Sequence, residues 1–354
     1  MKKLLFISLA VILALSVSLV GCTAPAEEEE EEEPEVVWNT TIPLTMHCTI
    51  SNRASIVEFI FDPWVAQVEA LTGDQGGKFD VTVTYGDAPF DATTSLAAIG
   101  SGVVDIGQLS GDTFHLGGIG ILPWLFPDME TAAYVTHIMW TEGNQKWDRG
   151  ELSGVKILIS APLWGAEWWG NVEVKVPTDL QGVKVRAEGA EAAGLLALGA
   201  SPVYLGTSEI GPALQTHIVD GCFFTWSGIG GFSGVGPNVD YVTQLDIFYR
   251  VYALAMNKAS YDALPAEAQE AIDSVSTPAK SVALAAAHAA GAAEDKAATE
   301  AAKPVYVPTA TELAAWKTAT AGVKADWAAY MTDTLGFDGA GILTRVNTLI
   351  SQAP

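Results

Sequence analysis

Arg186 is the residue in this sequence best suited to hold a small charged ligand. A guanidinium stays charged at any physiological pH and can grip a carboxylate through two parallel hydrogen bonds. Arg186 closes a strand-like run, Val183-Lys184-Val185-Arg186, just before a helical stretch. Phe224, Thr225 and Trp226 end a second apolar run, and Glu167, Trp168 and Trp169 form an acidic and aromatic cluster upstream. Such rings can cover the apolar body of a ligand. Glu167 can meet a ligand amine or help hold a cation between ligand and protein. Asn52 and Arg53 lie in a loop ahead of a helix, which makes Arg53 a second candidate cation. Each group also has a plainer reading: Arg186 as a surface arginine on a strand-to-helix turn, the tryptophans as core packing.

The elements that would position these groups can be read from Asp179 to Trp226. Glu188 to Leu198 reads as a helix closed by Gly199, and Val203 to Leu205 as a second strand. Thr207 and Ser208 are good N-caps for the next helix, and Pro212 is tolerable only in its first turn. Ile210, Leu214 and Ile218 repeat every four residues and predict one buried stripe, with the helix running down to Asp220-Gly221. Cys222 to Trp226 is the third strand. The order β-α-β-α-β predicts a parallel sheet. Open α/β sheets bind ligands in the crevice outside the carboxyl ends of their strands, where Arg186 and Trp226 fall.

The same stretch resembles the solute-binding subunits of tripartite ATP-independent periplasmic (TRAP) transporters, the DctP-like family. The family's "DLKGLKIR" strand reads here as Asp179-Leu180-Gln181-Gly182-Val183-Lys184-Val185-Arg186. Its "LGA-P" turn is Leu198-Gly199-Ala200-Ser201-Pro202, and its "SE-Y-ALQ-G-VDG" helix is Ser208 to Gly221. Its "MNK-Y-LP" segment is Met256-Asn257-Lys258 with Tyr261, Leu264 and Pro265. A helix over Phe59–Leu71, the strand Val81–Tyr85 and the turn at 102–107 fit the family's opening. The resemblance implies a two-lobed, periplasmic-binding-protein-like α/β fold with a hinge and a long helix spanning both lobes. It implies lobe I at 36–164 plus 250–285 and lobe II at 165–249 plus 286–354. The alanine-rich stretch Pro278 to Lys303, about 37 Å long at 1.5 Å per residue, would be the spanning helix.

The chain also departs from that family. Many members place an arginine after the strand at 156–162 as a second carboxylate anchor; Glu167, Trp168 and Trp169 stand there. The binding asparagine after the "VDG" helix is replaced by Phe223, Phe224 and Thr225. One charged hydrogen-bonded pair contributes roughly 1.5–3 kcal/mol, whereas micromolar affinity needs about 8 kcal/mol. The remainder must come from burying apolar ligand surface. The expected ligand is therefore more apolar than a C4-dicarboxylate, such as a branched or aromatic monocarboxylate.

The ends and the composition set the location. Lys2 and Lys3 precede the apolar run Leu4–Val20, and Leu19-Val20-Gly21-Cys22 matches a bacterial lipoprotein cleavage box. Residues 1–21 read as a signal peptide and Cys22 as the lipid anchor, with an uncleaved membrane anchor as the alternative. Residues 22–35 hold seven consecutive glutamates, Glu27 to Glu33, and read as an extended tether. Removing Lys2 and Lys3 takes the net charge from −24 to −26; setting aside the eight tether glutamates leaves −18 on the folded part. No basic patch stands out, which excludes nucleic acid as a partner, and any anion site must be local. Cys48 and Cys222 are either a disulfide, permitted outside the cytoplasm, or two buried thiols.

The histidines show no metal-ligand spacing, and there is no G-x-S-x-G elbow or phosphate loop. A secreted hydrolase built on Asp105, Asp112, Asp246 and Glu167 is the alternative from another class, and a ligand sensor for a membrane receptor is a third. The favoured reading is a lipid-anchored extracytoplasmic receptor, not an enzyme, with no cofactor beyond a cation in the cleft. It would close its lobes on a small organic acid and deliver it to a TRAP membrane permease driven by an ion gradient.

Overall fold

The structure, a computed structural model, describes residues 37–354 apart from 53, 188–190 and 227–233. Its strands are β1 (Thr41–Cys48), β2 (Lys78–Tyr85), β3 (Ile106–Ser110), β4 (Val155–Pro162), β5 (Ala166–Gly170), β6 (Lys184–Ala187), β7 (Ser201–Tyr204), β8 (Gly221–Thr225), β9 (Tyr241–Thr243), β10 (Val251–Asn257) and β11 (Val305–Tyr306). Its α-helices are α1 (Asp62–Glu69), α2 (Ser95–Gly100), α3 (Met129–Lys146), α4 (Glu191–Ala197), α5 (Ile210–Gln215), α6 (Lys258–Asp262), α7 (Ala266–Ser274), α8 (Pro278–Ala302), α9 (Ala310–Ala319), α10 (Val323–Ala329) and α11 (Gly339–Ile350).

The strands form two sheets. The first has the order β2-β1-β3-β10-β4 and the second β11-β9-β5-β8-β6-β7. β1 runs parallel to β2 and β3, and β10 is antiparallel to both β3 and β4. In the second sheet β6 lies parallel to both β7 and β8, with Arg186 opposite Val203 and Cys222. The expected β-α-β-α-β unit is therefore present. Its second helix ends early, however. His217 takes a left-handed φ of 56°, and the chain leaves the helix after Gln215. Ile218 thus falls off the stripe and is 52% exposed, while Ile210 and Leu214 are buried.

Both sheets are covered on both faces, so their central strands are apolar throughout rather than alternating. β3 and β5 are buried at every position. The edge strand β2 alternates, burying Phe79 and Val81. Successive strand residues point to opposite faces. That rule explains the adjacent tryptophans of β5. Trp168 packs with Leu195, Phe223 and Trp316 on one face, and Trp169 with Leu214 and Trp226 on the other. Each such ring removes roughly 150–250 Å² from water, about 4–6 kcal/mol at ~25 cal/mol per Å². These two rings hold the second sheet's layers together.

α8 starts at Pro278 behind an N-cap in which the Thr277 hydroxyl accepts the Lys280 N–H. Its first half packs on α3 and β4 of the first layer. Beyond it, Lys296 reaches Gln244 at 3.0 Å and Lys303 reaches the Val239 carbonyl at 2.8 Å, both beside the second sheet. The chain is thus an α/β protein of two sheet layers spanned by one long helix. α11 departs from the expected placement of 286–354 in lobe II. Its Ile342, Val346 and Leu349 are buried in the same cluster as Val135 and Met139 of α3, on the first sheet. Cys48 and Cys222 are both buried and unpaired, one in each sheet. Burial pushes the Cys222 thiol up to about 12.

Candidate functional site

The carboxyl ends of β6, β7 and β8 share one rim because these three strands are parallel. Arg186 sits on that rim and is 3% exposed. Its Nε donates to the carbonyl of Leu205, just past β7, at 2.9 Å. This bond pins the guanidinium at the edge of the sheet.

A second buried arginine, Arg250, lies just before β10, on the chain that returns from the second sheet to the first. It forms ion pairs with Asp112, in the turn after β3, and with Glu191, in the first turn of α4, the latter at 2.5 Å. One guanidinium therefore ties a loop of the first sheet to a helix of the second. Removing one partner of a buried pair of this kind costs about 3–5 kcal/mol, because the other charge is left uncompensated.

Two cavities meet at these groups. One, of about 70 Å³, is bounded by Ile50, Ala54 and Ile56 from the first layer and by Thr207, Phe224 and Thr225 from the second. The other, of about 690 Å³, lies toward α4 and α10. Arg186, Glu191, Phe223 and Phe248 line both.

Among the residues expected to bind ligand, Arg186, Phe224 and Thr225 come together on the smaller cavity. Glu167, Trp168 and Trp226 line neither cavity. The Glu167 carboxylate is fully buried; it accepts from Trp226 Nε1 at 2.8 Å, from the Asp246 N–H at 3.0 Å and from the Leu245 N–H. Burial, and then the negative charge of Asp246, hold its carboxyl well above the usual carboxylate range. It fastens β5 to β8 and to the loop before β10 from inside the layer. Trp168 donates to the Val172 carbonyl at 3.0 Å within the core, and Trp169 donates to the Phe224 carbonyl at 3.1 Å, behind that ring. Asn52 is exposed; Arg53 and Cys22 lie outside the described residues. Among the described residues no cluster of His, Cys, Asp and Glu has the arrangement of a metal site.

Sequence reasoning missed Arg250, Asp112 as its partner, and Glu191. A usable signal was present. Arg250 is one of five arginines in a strongly acidic chain and stands between Tyr249 and Val251 in an apolar run. A charge in such a run is buried only when it is paired.

Comparison with known proteins agrees with this architecture. Residues 57–330 match the family model described as bacterial extracellular solute-binding protein, family 7 (DctP). The C4-dicarboxylate-binding periplasmic protein DctP of Rhodobacter capsulatus is 27% identical over 207 residues, 56% of this chain, and the match spans only 60% of that relative's length. A TRAP solute-binding protein from Rhodoferax ferrireducens, solved with copurified benzoate, is 24% identical with a TM-score of 0.78, covering 88% of this chain and 98% of its own. One from a marine metagenome, solved with 3-hydroxybenzoate, is 20% identical with a TM-score of 0.79, covering 89% and 99%. One from Bordetella bronchiseptica, solved with (R)- and (S)-mandelate, is 20% identical with a TM-score of 0.75, covering 88% and 100%. These are transport proteins that bind solutes rather than enzymes, and they have the fold seen here. With the family model matching most of its length, this chain belongs to the bacterial extracellular solute-binding proteins of family 7, the DctP family.

Proposed function

We propose that this protein is an extracytoplasmic receptor that captures a small organic acid of apolar or aromatic character at Arg186 and hands it to an ion-gradient-driven TRAP permease. The observation that carries this reading is the position of Arg186: buried, on the rim of a parallel sheet, and shared by two cavities between the layers. The relatives solved with benzoate, 3-hydroxybenzoate and mandelate support a carboxylate as the anchored group and a ring as its body. Lobe I comprises 36–164 plus 250–285, and lobe II 165–249 plus 286–354 except where α8 at His288 and α11 pack on the first layer. Ligand contacts to both lobes stabilise the closed state. Arg250, already gripping a group from each layer, sits where that closure is decided. Cys22 carries the lipid and residues 22–35 space the receptor from the membrane, a reading that rests on Leu19-Val20-Gly21-Cys22 and the glutamate run.

Arg186→Ala should weaken acid binding roughly 10- to 150-fold, as expected for one charge-assisted pair, without lowering the melting temperature by more than a few degrees. Isothermal titration with benzoate and mandelate measures this. Unchanged affinity would remove Arg186 from the site.

A further inference from the structure

We propose that the ligand is a monocarboxylate whose apolar body is larger than one aromatic ring, and that this body occupies the larger cavity beside α4 and α10. The proposal rests on the reading of Arg186 as the carboxylate anchor and adds where the rest of the molecule goes.

Volume is the first argument. The smaller cavity holds about 70 Å³, room for only a few waters at the ~30 Å³ that each takes in the liquid. The larger one, about 690 Å³, falls within the roughly 300–1,000 Å³ of pockets that enclose drug-sized ligands. Arg186 opens onto both, so a carboxylate held there can direct its body into the roomy side.

The walls give the second argument. Leu122, Leu195, Leu198, Phe223, Val323 and Trp327 line the larger cavity with apolar surface. The acidic groups on its wall argue against a second carboxylate on the ligand. Asp112 and Glu191 lie at the Arg186 end and are engaged by Arg250. Glu151 is engaged by His115 at 2.9 Å, and Asp326 is exposed. A second negative charge on the ligand would meet like charge at either position. Beyond Arg186, the described residues that line the larger cavity include no arginine or lysine.

The test is a titration series on the purified full-length protein with succinate, benzoate, 2-naphthoate and dodecanoate. We expect 2-naphthoate and dodecanoate to bind at least tenfold tighter than benzoate, and succinate more weakly than benzoate. Gly194→Phe is the matching variant. Gly194 lines the larger cavity, and a Cβ added there meets no atom within 4 Å, so the position has open space in which a larger side chain can start. It should weaken 2-naphthoate and dodecanoate at least tenfold while leaving benzoate within about threefold. Tighter binding of benzoate or succinate than of the larger acids, or a Gly194→Phe variant that binds the larger acids as before, overturns this inference and leaves the acid receptor standing. Binding of none of the four acids overturns both.

Discussion

The two ends of α8 are held in different ways. At its first half the helix is fused to the first layer. Ser281, Ala285 and His288 have no exposed surface. The Ser281 hydroxyl accepts the Ser160 N–H at 2.9 Å and lies 2.9 Å from His137 Nδ1. His288 donates from Nδ1 to the Pro162 carbonyl at 3.2 Å, which leaves Nε2 to accept the Ser55 hydroxyl at 3.0 Å. Toward the second layer the contacts are made by long lysines. Lys296 touches Gln244 and lies 5.7 Å from the Trp226 ring, and Lys303 reaches loop carbonyls. Buried, directional bonds resist displacement, whereas a lysine on a flexible stem can follow a moving partner. The contrast indicates that α8 is anchored to the first layer by buried bonds and tied to the second by longer, more adaptable ones, with Arg250 a further tie between the layers.

The largest effect that would break this contrast is acid. Burial, and for His137 also the positive charge of Lys156, lowers both imidazoles to about 4. The folded state keeps them neutral while the unfolded chain protonates near 6.5. Their contribution is therefore fully present above pH 6.5 and is lost as the pH falls through about 4. The loss approaches about 3 kcal/mol for each histidine. Imidazole NMR resonances of both residues should stay at their neutral positions down to pH 5, and the melting temperature should fall between pH 6.5 and 4. Titration of either ring at pH 6 or above would show that this end is not sealed.

Next in size is the bridge. Arg250→Ala should destabilise the protein by about 3–5 kcal/mol in urea unfolding, since Asp112 and Glu191 lose their common partner. Adding Asp112→Asn and Glu191→Gln to that variant should recover part of the loss by removing the stranded charges. A loss below about 1 kcal/mol would mean that the bridge is solvated and does not couple the layers. The smallest effect belongs to the lysine end. Lys296→Ala should cost under about 1 kcal/mol, as surface pairs do, and leave acid affinity unchanged. A larger loss would make the two ends of α8 alike.

Much of the fold was legible in advance because local signals agreed with the tertiary arrangement. The caps and glycines around α4, β7 and α5 marked the β-α-β-α-β unit, and Pro278 with the alanine run marked α8. α3 was not anticipated. Its buried Ala132, Val135, Thr136, Met139 and Trp140 fall at i, i+3, i+4, i+7 and i+8 on one face, but two of the five are alanine and threonine, which blunts the apolar signal. The candidate site was legible only in part. Arg186, Phe224 and Thr225 follow from the ends of parallel strands, which sequence order predicts. Glu167, Trp168 and Trp226 were assigned to the ligand by residue type, but the alternation of β5 and the packing on both faces of the second sheet commit them to the core. Asp112, Glu191 and Arg250 are far apart in the chain, and no local pattern announces a three-way pairing.

The sequence by itself determined which strands run parallel, where they end and which arginine stands on their rim, because these depend on periodicity, caps and turns within about fifty residues. Only the tertiary structure decided which charges meet, which tryptophans are core and which compartment is large enough for a ligand. Those outcomes depend on how the two covered sheets face each other, and burial of a charge is tolerable only where another element delivers its partner.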